Sequence, residues 1–200
     1  AAARYAGELA MNPNPARLFE AIRQWCWDHR ATETLAREEL GLDIGGVVGY
    51  SYGAFQSLLL ASAGGIRQPI VSIASTNRYA FGLSNGVLGR GVIDGMERAG
   101  IDSDMLYRLT DSLQLERHVE RLREHEVLYV RGLHDGVDPH PSLDRLEHAL
   151  APSASLTLDV GHATLVFLRD RIQGTAIEFL RRTGAIEGGA IDTGSSSMAS

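Results

Sequence analysis

The stretch that most constrains this chain is GGVVGYSYGAFQSLLLAS, residues 45–62. A short apolar run through Val47 and Val48 meets the corner Gly49-Tyr50-Ser51-Tyr52-Gly53 and passes straight into an apolar helical run. Short continuous apolar runs of this kind are typical of strands buried on both faces of a parallel sheet. The run after Ser51 reads as a helix closed by Gly64-Gly65, glycine being the usual residue just past a helix end. The backbone must therefore turn from extended to helical at the serine with no linker. Glycines two residues to either side remove Cβ atoms that would crowd such a turn, and the serine is pushed outward on a strained backbone. Five residues alone do not separate a nucleophile from a small residue at a corner.

The rest of the chain repeats the strand-to-helix alternation. A helical period runs from Ala16 to about Leu40 after the helix-start signal NPNP, and Gly41 stops it. Strands are predicted over 42–50 (LDIGGVVGY), 68–76, 126–132 and 155–161, with helices over 112–125, 142–151 and 163–184. Alternation of this kind predicts an α/β fold, a parallel sheet with helices on both faces. The 200 residues suffice for one domain. It is placed over 1–184, with a possible lid or cap over 77–115 and a small, polar, disordered tail over 185–200.

In open parallel sheets, reactive groups gather at the carboxyl ends of the strands. The strand at 42–50 ends in Ser51. The strand at 126–132 runs into LHDGVDPHP, which offers Asp135, with Asp138 as rival. The strand at 155–161 ends in His162, at the start of the closing helix. A buried carboxylate orients an imidazole and stabilises the imidazolium formed when the imidazole takes a serine proton. The chain order Ser, Asp, His at separate strand ends belongs to the nucleophile-elbow arrangement. The Tyr52 N–H, first in its helix, faces a developing oxyanion and gains from the helix dipole. Tyr50, on the other side of the serine, is expected to wall the substrate.

Through GYSYG (49–53), GLHDGVDP (132–139) and GHATLVF (161–167), the sequence resembles the α/β-hydrolase superfamily over most of residues 16–183. The resemblance implies a reduced three-layer α/β-hydrolase-like sandwich. It implies Ser51 as nucleophile, His162 as general base and acid, Asp135 as orienting acid, and no cofactor. The expected activity is cleavage of small-molecule carboxylic esters through an acyl-enzyme. The alternatives are a thioesterase and a silent or weakly active scaffold or interaction protein. The chain departs from the superfamily at its front, where strands and an HG-type oxyanion loop usually precede the elbow. Only one helix and a short leader stand ahead of the elbow strand, and position 1 is Ala rather than Met. A fragment, a naturally reduced enzyme and a silent relative each account for this.

The four strands are then expected in their chain order, with 42–50 as an open edge. Open apolar edges invite pairing, so a homo-oligomer is expected, through that edge or through the helix bearing Trp25 and Trp27. Coverage of the edge by residues 1–15 is the alternative. Phe81, Leu83, Val87, Leu88, Met96, Leu106 and Tyr107 are candidates for an acyl pocket or, equally, for a helical core stripe.

Charge and composition narrow the partners. A formal net charge of −6 gives no basic field for nucleic acid. Arg117, Arg121 and Arg123 alternate with Glu116, Glu120 and Glu124, as on a solvated helix face. No apolar run is long enough for a membrane span, and no signal peptide opens the chain. One cysteine, Cys26, rules out an intrachain disulfide and a cysteine-rich zinc site. These features favour the cytoplasm. His134, Asp135, Asp138 and His140 read as loop and capping residues rather than as metal ligands.

Overall fold

The structure, a computed structural model, describes residues 13–80, 85 and 89–187. Helix α1 (Pro15–Thr34) starts where the sequence places it: Pro15 fills the first position and the Asn14 side chain accepts the Ala16 N–H at 3.0 Å. One wider turn, Leu35–Glu39, follows before Gly41 adopts a φ of +62° and ends the helical run.

Four strands form one sheet, β1 (Val47–Tyr50), β2 (Ile70–Ile73), β3 (Val127–Gly132) and β4 (Ala154–Leu158), all parallel and in chain order. Strand β1 is shorter than the expected 42–50. Its one neighbour among the described residues, β2, begins beyond Pro69, whose carbonyl takes the Val47 N–H at 2.9 Å. Residues 42–46 precede the first residue of that pairing.

Successive residues of β2 and β3 point to opposite layers. Ile70, Val127 and Tyr129 join Leu18, Phe55, Leu58 and Leu146 in one core. That core is covered by α1, α2 (Tyr52–Ser62) and α6 (His140–Leu150). Val71, Leu128 and Val130 join Leu165, Ile172 and Phe179 in the other, beneath α7 (Arg169–Arg182). Between β2 and β3 lie α3 (Arg90–Arg98) and α4 (Ser103–Leu109), whose Val92, Met96 and Leu106 are buried in the first core. Phe81, Leu83, Val87 and Leu88, named above for the acyl pocket, lie outside the described residues, as do residues 1–12 and 188–200.

Two expected helices are altered. The charged segment 112–125 is broken into tight turns (Asp111–Leu113 and Leu115–His118) and one helical turn, α5 (Val119–Leu122). The fully buried Asn77 causes the break. Its carbonyl takes the Leu115 N–H at 2.9 Å and its Oδ1 the Glu116 N–H at 3.1 Å, two donors that a continuous helix would need. The closing helix, expected from residue 163, begins as a 3₁₀ segment over Ala163–Leu168 and becomes α-helical only at Arg169. Among the described residues no helix is long and apolar enough to cross a membrane.

Candidate active site

Ser51 stands between β1 and α2 with φ 52° and ψ −113°, a conformation rare for a residue with a side chain. Its N–H continues the sheet by donating to the Ile73 carbonyl at 2.7 Å, and its carbonyl accepts the Phe55 N–H at 3.0 Å. The strain is localised at one residue and clamped on both sides, the pattern expected of a functional corner. The two flanking glycines are not equivalent. A Cβ on Gly49 would lie within 2.6 Å of the Ala54 backbone, whereas a Cβ on Gly53 would meet nothing within 4 Å. Only Gly49 is demanded by the close approach of helix to strand.

The three residues singled out at the strand ends meet. Ser51 Oγ lies 2.8 Å from His162 Nε2, and His162 Nδ1 lies 2.7 Å from Asp135 Oδ2. The Asp135 side chain is almost wholly buried, and its second oxygen accepts the Val137 N–H at 2.9 Å. The loops carrying the acid and the imidazole are bolted together: the Leu133 N–H donates to Leu158 O at 2.7 Å and the His134 N–H to Val160 O at 3.0 Å. Tyr52 opens α2, so its N–H has no acceptor within the helix. Its ring stacks on Phe55 and meets Tyr79 edge-on, and burial pushes its hydroxyl pKa up.

Asp138, the rival carboxylate, faces elsewhere. It is 1% exposed, and its Oδ2 accepts the Asn77 N–H at 2.6 Å. Burial pushes its pKa up to about 6, against the Asn77 amide, Ser142 and the Arg78 amide, which pull it down. Asn77 also donates from Nδ2 to Glu116 Oε2 at 2.9 Å and to Ser142 Oγ at 3.2 Å. It joins the loops after β2 and β3 to the segment at 115–116. Nothing in the sequence around Asn77 signals this role, because its partners come from three distant segments. His134 pairs with Asp159 at 2.8 Å on the surface, away from the imidazole of His162. Tyr50 turns its hydroxyl to the His162 carbonyl, at 2.7 Å, and its ring lies 6.2 Å from the His162 ring.

A parallel sheet flanked by helices, with a serine at a strand-to-helix elbow and an aspartate and a histidine following at later strand ends, is the arrangement of the α/β-hydrolase fold. The chain has that fold. It is similar to TT1662 from Thermus thermophilus, at 16% identity and a TM-score of 0.57, over 86% of this chain and 67% of that one. It is similar to the Pyrococcus furiosus esterase Pf2001, at 14% identity and a TM-score of 0.55, over 78% of this chain and 61% of the esterase. It is also similar to the Pyrococcus horikoshii acylaminoacyl peptidase, at 15% identity and a TM-score of 0.56 over 80% of this chain. The match spans only 27% of that peptidase. No family model and no curated protein matches the sequence. The likeness is one of fold, and two of these neighbours are by name hydrolytic enzymes.

Proposed function

We propose that the protein is a serine hydrolase that cleaves carboxylic esters of small molecules. The observation that carries this reading is the unbroken hydrogen-bond chain from Ser51 Oγ through His162 to Asp135, at 2.8 and 2.7 Å. Ser51 attacks the acyl carbonyl while His162 Nε2 takes its proton, and Asp135 holds the imidazole by its Nδ1–H. The Tyr52 N–H, at the positive end of α2, stabilises the oxyanion. The imidazolium returns its proton to the leaving alkoxide, leaving an acyl-Ser51. Water, deprotonated by His162, attacks the acyl carbonyl and releases the acid. No step calls for a cofactor. In this reading the segment 77–115, as far as its residues are described, is the cap over the site, and the half-buried Tyr50 ring forms part of its wall.

A fluorophosphonate probe tests the reading. The folded protein is expected to be modified at Ser51 and the Ser51→Ala protein to stay unmodified. Absence of labelling on folded protein favours a silent scaffold instead. A p-nitrophenyl ester series against matched thioesters then separates esterase from thioesterase.

A second reading concerns assembly. Among the described residues strand β1 pairs only with β2, and Val48 on it is 60% exposed, near exposed Leu40 and Leu42 in the chain. We propose that two copies associate across this edge. A strictly monomeric mass by light scattering at micromolar concentration would overturn that.

A further inference from the structure

One side chain on the nucleophile's own strand reaches the backbone of the general base. Tyr50 immediately precedes Ser51. It is half-buried and packs against the core cluster beneath α7 that includes Leu165. Its hydroxyl donates to the His162 carbonyl at 2.7 Å, and its ring lies 6.2 Å from the His162 ring. His162 stands at the entry to the 3₁₀ segment Ala163–Leu168, so the bond anchors the first residue of a segment that lacks a side-chain cap of its own.

We infer that Tyr50 is a positioning residue: its hydroxyl, bonded to the His162 carbonyl, fixes the backbone of His162 so that Nε2 meets Ser51 Oγ. This rests on the hydrolase reading of Ser51 and His162, and it adds what holds the base in place. The link ties the base to the nucleophile's own strand, so the two reacting groups move as one. Burial of the side chain and, after it, the charge of Asp135 both disfavour the tyrosinate. The group therefore remains a neutral donor at ordinary pH. Without the hydroxyl, the His162 carbonyl loses its tie to the nucleophile's strand, and the imidazole's attachment point shifts. Displacements of about 1 Å between reacting groups can cost about 100-fold in rate.

Tyr50→Phe keeps the ring and removes only the oxygen bonded to the His162 carbonyl. With a p-nitrophenyl ester, kcat is expected to fall about 10- to 100-fold while KM stays within about twofold, the signature of lost transition-state alignment. The thermal midpoint should change little. A readout independent of turnover is the proton resonance of the His162 Nδ1–H, expected far downfield in a charge-assisted bond to Asp135. In Tyr50→Phe it should move upfield or broaden. Unchanged kcat together with an unchanged resonance would overturn the inference. If the wild-type protein is not labelled at Ser51, the hydrolase reading fails, and the resonance alone decides whether Tyr50 positions the ring.

Discussion

The rear of the site and its front are built by different means. At the rear, the loops after β3 and β4 interlock through the Leu133–Leu158 and His134–Val160 backbone bonds, and Asp135 is sealed beneath them. At the front, Ser51 follows a strand that has one neighbour among the described residues, and its N–H is held by the Ile73 carbonyl. Asp135 and His162 are placed by tertiary contacts among distant segments. Ser51 is placed by local backbone geometry: a positive φ, a glycine that admits the helix, and the first turn of α2. Tyr50 is the bridge, since it belongs to the front strand and holds the rear histidine.

The largest effects should come from the atoms themselves. Ser51→Ala is expected to lower ester hydrolysis by about 10⁵- to 10⁶-fold, leaving the residual catalysis of the remaining site. Any substantial turnover in that variant would place the chemistry elsewhere. Next come the two carboxylates of the rear. Asp135→Asn should cost about 10⁴-fold in kcat, because the imidazole loses its orienting charge and its tautomer. Asp138→Asn should cost less than about tenfold, since it does not touch His162. Equal losses would break the distinction between them.

The front corner is tested by its glycines. Gly49→Ala drives a Cβ into the Ala54 backbone and should destabilise the fold by several kcal/mol, on the order of an overpacked core site. Gly53→Ala meets open space and should be neutral, or stabilising by about 0.5–1 kcal/mol through helix propensity. Chemical denaturation of the pair measures the contrast.

A smaller effect belongs to Asp138. A carboxyl whose folded pKa is raised binds its proton more tightly folded than unfolded. Its stabilisation is therefore present below its ordinary value of 3.8 and lost as pH rises through about 6. The wild-type protein should lose roughly 3 kcal/mol from this group across that window, and Asp138→Asn should flatten the slope. A stability profile that rises over the same window in wild type, and is unaltered by the substitution, would reverse the assignment. Least of all, Val48→Lys on the exposed edge should change monomer stability by no more than about 0.5 kcal/mol. It should still abolish self-association by light scattering, if the edge is the contact.

Much of this was legible in the sequence. The parallel sheet followed from alternation, and the serine, aspartate and histidine from their places at strand ends, because both depend on short-range pattern; the strand order came from the family resemblance. The break in the segment 112–125 was not legible, since it is made by Asn77, some forty positions upstream. The anchoring of His162 was hidden for the same reason: the hydroxyl bonded to its carbonyl sits 112 positions away. The unequal demands on Gly49 and Gly53 were also invisible, as a symmetric motif conceals which side the helix approaches.

The sequence by itself determined the α/β class, the corner at Ser51, and Asp135 and His162 as candidates for its partners, because periodicity, glycine placement and chain order are local or ordinal properties. Only the tertiary structure decided that Asp135 rather than Asp138 meets the imidazole, that Asn77 interrupts a helix, and that the Tyr50 hydroxyl reaches the His162 carbonyl. Each of these is a competition for a hydrogen-bonding group between segments far apart in the chain, and burial decides it by leaving no water to serve as the alternative partner.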